Sequence, residues 1–140
     1  MTDRDKRTAA SDDLEVITVR SRAEETLPQK LPFRPGISEK TAGALGISMY
    51  KIVIPPGAAA EPHEHVKFET AIFLLKGRVE TRYGARLEKS VINVAGDFIY
   101  IPPGLPHQPV NLSDIETAEA IVARNDPSET ESVLPYRPAP

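Results

Sequence analysis

Proline and glycine interrupt this chain too often for long helices. Fourteen prolines and eight glycines are spread through 140 residues without a repeat period. Proline fixes φ and removes a backbone donor, and glycine readily adopts the φ values of tight turns, so the pattern fits short strands joined by many turns better than a helical bundle. The runs between these breaks read as about eight short strands: Leu14 to Arg20, Ile47 to Ile54, Phe68 to Leu75, Arg78 to Tyr83, Val91 to Val94, Phe98 to Ile101, His107 to Asn111 and Ala118 to Arg124. Strands of this length with frequent turn signals predict an all-β barrel or jelly roll. Phe68 to Leu75 and Arg78 to Tyr83, joined through Lys76 and Gly77, read as a hairpin. Ser21 with Glu24 reads as a capping box opening one helical turn, and Pro28 to Gly36 as an extended wrap over the surface. Ile37 to Gly46 carries no clear signal. Residues 1–13 hold no large apolar side chain after Met1 and are expected to be disordered, and the acidic, proline-rich tail from Ser128 is expected to wrap the surface or stay loose.

The segment from Gly57 to Gly77 holds two of the three histidines, His63 and His65, with Glu69 four residues further on. On an extended strand, residues two apart share a face about 6.6 Å from each other, so both imidazoles and the carboxylate can point one way, which is a metal-site pattern. The third histidine, His107, follows a short apolar strand and a Pro-Gly turn, and a neighbouring strand could deliver it to the same centre.

At this point the sequence resembles the cupin superfamily. Its first motif reads G, five residues, H-x-H, three or four residues, E, six residues, G. Gly57, His63, His65, Glu69 and Gly77 fit with one departure, because seven residues rather than six separate Glu69 from Gly77. The second motif reads G, five residues, P-x-G, two residues, H, three residues, N, and Gly96, Pro102, Gly104, His107 and Asn111 fit it throughout. The resemblance implies a single cupin β-barrel, a double-stranded β-helix or jelly roll, over residues 14–127 with the motifs at 57–111, between a tail at 1–13 and another at 128–140. It also implies that His63, His65, Glu69 and His107 bind one divalent metal at the wide end of the barrel. The extra residue before Gly77 leaves two options: a bulge absorbs it, or Thr70 takes the usual ligand position. Glu69 keeps the parity of the two histidines, and on that ground is the expected ligand.

Neutral imidazoles and a carboxylate suit Fe, Mn, Ni, Co or Zn, and four protein ligands on an octahedral ion leave two adjacent positions open. Each histidine would need its second nitrogen held by a carbonyl or carboxylate. Cupins with such sites carry out dioxygenation, decarboxylation or isomerisation of small oxygen-rich molecules, and the alternative is a cupin that binds a small molecule without turning it over. Lys67, Tyr100 and Gln108 are candidates to reach the pocket, and Arg82 or Tyr83 to meet an acidic ligand. Asn111 reads as a residue that ties down backbone, and Glu64 as one that points outward.

The chain has no cysteine, which excludes thiolate ligands, thiol nucleophiles and disulfides. A net charge of -3 without a basic run argues against a nucleic-acid partner. The longest apolar run, Ala71 to Leu75, is far too short to span a membrane. A cytoplasmic protein is the expectation. The early strand Leu14 to Arg20 has two destinations, the edge of its own sheet or that of a second subunit, and the resemblance, since cupins often use the second, implies a homodimer.

Overall fold

Alternation along the strands sets the architecture. In a computed structural model that describes residues 13–20, 24–128 and 133–137, strand β3 (Ser48–Ile54) turns Ser48, Tyr50, Ile52 and Ile54 inward. β10 (Ala118–Arg124) does the same with Ala118, Ala120, Val122 and Arg124. The two pair antiparallel along their whole length, so their buried faces coincide. Around them lie β1 (Glu25–Thr26), β2 (Pro32–Ile37), β5 (Thr70–Lys76) and β8 (Phe98–Ile101), giving one six-stranded sheet in the order β1-β2-β3-β10-β5-β8. β4 (His63–His65), β6 (Arg78–Tyr83), β7 (Lys89–Val94), β9 (His107–Asn111) and β11 (Val133–Pro135) form a second sheet in the order β11-β4-β9-β6-β7. Every ladder among the described residues is antiparallel. The inner faces enclose a core that includes Leu27, Leu31, Phe33, Ile52, Leu74 and Val122, in keeping with the jelly roll expected.

Several expectations are corrected. Phe68 to Leu75 and Arg78 to Tyr83 do not form a hairpin: β5 pairs with β10 and β8, whereas β6 pairs with β7 and β9 in the other sheet. Gly77 is the corner between the sheets. Its φ of +98° is in the left-handed region, and a Cβ there would stand 2.8 Å from Ala118 Cβ, so only glycine fits. The hairpin is β6–β7 instead, closed by the polar turn from Gly84.

Pro28 to Gly36 is extended as expected but does not wrap the surface: Pro32 onward is strand β2, and Leu31 and Phe33 are buried in the core. Proline is tolerated there because Pro35 and Gly36 lie in the register shift between Arg34 and Ile37, where the ladder is already interrupted. The short helix α1 (Glu39–Ala42) fills the stretch that lacked a signal. Ser38 caps it by accepting from Thr41 N, and Gly43 ends it in the left-handed conformation.

Leu14 to Arg20 pairs with nothing among the described residues and leaves Leu14, Val16 and Ile17 exposed. Alternation supplies a strand's faces but not its neighbour. The C-terminal tail contributes β11, paired with β4 through Val133 and His65. The capping box at Ser21 and residues 1–12 lie outside the described residues, as do 129–132 and 138–140. No helix among the described residues is long and apolar enough to cross a membrane.

Candidate metal centre

β4 is three residues long and presents His63 and His65 on one face, with Glu64 turned the other way as expected. β9 runs antiparallel beside it, and the pair that joins them is His63 opposite His107. The sequence brings the three imidazoles together from both motifs. All are buried, at 3–4% exposure. Their ring centroids are 4.3 Å apart for His63 and His107, 5.1 Å for His63 and His65, and 5.6 Å for His65 and His107. One ligating nitrogen from each lies within 4.8 Å of the others.

The tautomers follow from the partners. His63 Nδ1 lies 2.7 Å from the Glu61 carbonyl oxygen and His107 Nδ1 lies 2.8 Å from that of Leu105. A carbonyl can only accept, so both Nδ1 atoms carry the proton and each Nε2 keeps its lone pair. Burial holds His107 neutral, pushing its pKa down from 6.5 to about 3, with His63 and Arg124 adding repulsion against a proton and the Leu105 carbonyl opposing them. Neutral, pre-oriented imidazoles are what a first-row metal requires. The spread of the nitrogens is within about an ångström of what a shared ion about 2.1 Å from each would allow. The donor set fits a divalent metal.

Glu69 does not join this cluster, and that corrects the ligand set expected from the sequence. Residues 66–69 break the chain between β4 and β5, so the parity of His63 and His65 does not carry through to Glu69. The carboxylate is exposed and accepts from Tyr100 Oη at 2.8 Å, while the backbone N–H of Glu69 donates to Asn125 Oδ1. Thr70 starts β5 and points inward at 2% exposure. Six residues, 71–76, separate Thr70 from Gly77, so the motif spacing holds throughout, with a threonine where the family pattern has glutamate.

A cavity of about 60 Å³ adjoins His63 and His107. His63, His107, Thr70 and Arg124 line its polar part, and Ile52, Ile72 and Val122 are among its apolar walls. Arg124 is buried at 4% exposure and its Nε donates to Thr70 Oγ1 at 3.0 Å. Sequence reasoning left Arg124 at the end of a strand without a role. The signal was present: Ala118, Ala120 and Val122 face inward, and period two carries Arg124 to the same side.

Lys67 is exposed, and Tyr100 lies outside the cavity with Glu69. Gln108 Nε2 donates to the Ala60 carbonyl, and Arg82 pairs with Glu80 on its own strand. None of these, nor Tyr83, lines the cavity. Asn111 ties down backbone: its Nδ2 donates to the carbonyls of Ile54, Pro55 and Glu116, and its Oδ1 accepts from Ser113 N.

Known proteins resemble the chain in both sequence and shape. It is 34% identical over 121 residues to germin-like protein subfamily T member 3 of Arabidopsis thaliana, a match covering 80% of this chain and 50% of that protein. The chain thus spans about half the length of the curated relatives it matches. A cupin 2 conserved barrel domain protein from Salinispora arenicola superposes with a TM-score of 0.61 at 25% identity, over 81% of this chain and 89% of that one. Oxalate decarboxylase from Lactobacillus farciminis, in a formate complex, superposes with a TM-score of 0.68 at 20% identity, over 90% of this chain and 40% of that one, a likeness of fold. Residues 50–123, which run from β3 to β10 and include all three histidines, match the cupin domain family, and the chain belongs to it.

Proposed function

We propose that this cupin holds one divalent metal on His63, His65 and His107 and acts on a small oxygen-rich organic molecule, in a reaction of the dioxygenase, decarboxylase or isomerase type. The observation that carries the reading is the convergence of three buried imidazoles, two with their tautomers fixed by backbone carbonyls, beside a mainly apolar cavity that His63 and His107 line. When bound, the metal supplies Lewis-acid or redox chemistry at its open positions. The chain's own contribution is to orient the imidazoles, to exclude bulk water with the apolar wall and to place Thr70 and Arg124 beside the cluster. The oxalate decarboxylase of similar fold supports a carboxylate-processing role as one member of this class.

The displacement of Glu69 favours a second reading, a non-catalytic cupin that binds a small molecule. With Thr70 in the inward position, the described residues that line the cavity offer no carboxylate as a general base. A homodimer is also proposed, resting on the exposed, alternating segment Leu14 to Arg20.

Elemental analysis of anaerobically purified protein tests the metal site. About one equivalent of iron, manganese, nickel, cobalt or zinc is expected, lost in His63→Ala and His107→Ala while the far-ultraviolet circular dichroism stays that of a β protein. Metal retained in full by either variant removes the site assignment. Turnover of small carboxylates and keto acids by the loaded protein then separates the enzyme from the binding module.

A further inference from the structure

At one end of the barrel, three strands present polar residues inward in a single row. Arg124 on β10 is paired in register with Ser48 on β3 and with Thr70 on β5. All three are buried, at 4%, 4% and 2% exposure. Thr70 Oγ1 accepts from Arg124 Nε and so fixes the guanidinium plane. Ser48 Oγ is buried without a hydrogen-bond partner among the described residues, an arrangement that disfavours the empty site unless a ligand or water satisfies the hydroxyl.

Thr70 and Arg124 each line two spaces: the histidine cavity, and an outer cleft of about 330 Å³. Ser48 lines the cleft as well, with Glu69 and Tyr100 also on its wall. The row therefore stands between the surface and the histidines. A guanidinium is permanently charged and matches a carboxylate through two parallel N–H donors. Beyond it the cavity is walled mainly by aliphatic side chains, and its volume of about 60 Å³ leaves room for a small ligand only.

We propose that Arg124, with Thr70 and Ser48, recognises the carboxylate of a small monocarboxylic ligand whose short apolar body fills the aliphatic part of the cavity, and that the ligand enters through the outer cleft. This deepens the proposed function by naming the ligand class, and it rests on that reading only in taking the same cavity as the functional one.

Propionate and propionamide, which share a shape but differ in charge, provide the test. Calorimetric titrations are made on metal-free and metal-loaded full-length protein, with metal content measured on each preparation. Propionate is expected to bind both forms, and propionamide at least about thirtyfold more weakly, the lower end of what breaking a buried charged pair removes. Arg124→Gln is expected to lose this preference while keeping its metal. Propionate binding unchanged in folded Arg124→Gln overturns the proposal, as does discrimination seen only when metal is bound, since the metal is then the anion's partner. If Arg124→Gln fails to fold, the wild-type comparison decides alone: equal affinities for the two probes overturn the proposal and unequal ones in the metal-free chain support it. Loss of metal from none of the histidine variants removes the metal site and leaves the propionate result standing.

Discussion

His107 is kept neutral by burial, by His63 and by Arg124, and that neutrality is a term in the stability of the metal-free chain. Between the ordinary histidine value near 6.5 and about 3, the unfolded chain takes up a proton that folded His107 refuses. The contribution is therefore complete above about pH 6.5 and falls by up to ~1.4 kcal/mol per pH unit as pH drops toward 3. Urea unfolding of the metal-free protein at pH 7, 6 and 5 should show this decline, and His107→Gln should show a shallower one; equal slopes would mean that His107 is not the titrating group. Glu69 gives the contrasting expectation. Its carboxylate is exposed and bonded to Tyr100, so Glu69→Ala should retain a full equivalent of metal. Loss of metal in that variant would return Glu69 to the ligand set. The sequence made the histidines legible because fixed spacings placed them, and it misled at Glu69 because parity holds only within one strand. The count back from Gly77, by contrast, runs wholly within β5 and reaches Thr70.

Among the elements, the strands from β6 to β10 are close to those read from the sequence, since glycine, proline and polar turns bound each run. Which strands would pair was less legible. β5 and β6 are adjacent in sequence and turn at a glycine, features a hairpin shares with a corner between sheets; what separates the two is the approach of Ala118 to Gly77, a contact 41 residues away in the chain. Gly77→Ala should destabilise the fold by about 2 kcal/mol or more, from left-handed strain and overlap with the Ala118 backbone. Thermal unfolding measures it, and an unchanged Tm would mean that the corner can shift. Asn111→Ala removes the buried amide that joins the carbonyls of Ile54, Pro55 and Glu116, and should cost roughly 2–3 kcal/mol while leaving metal stoichiometry intact. Metal lost at retained fold would give Asn111 a role at the site.

At the scale of the whole molecule, what one chain leaves unpaired bears on assembly. Leu14 to Arg20 alternates like a strand, and Val16 is 96% exposed, an arrangement that a second subunit's sheet edge would bury. Light scattering on the full chain should give a dimer, and removal of residues 1–20 should shift it to monomer; a dimer of unchanged strength after truncation would place the interface elsewhere. The sequence indicated this strand, but its neighbour lies beyond what alternation within one chain can specify. The attachment of β4 has a different consequence. That strand meets β9 through the pair His63 and His107, with Gly104 N donating to the His65 carbonyl beside it, and β11 lies beyond, so the residues that would share the ion are among those that join the outer strands to the second sheet. An ion held there would act as a rivet across the seam, and its removal should free the outer two strands to exchange their amide hydrogens while the β3–β10 centre of the first sheet stays closed.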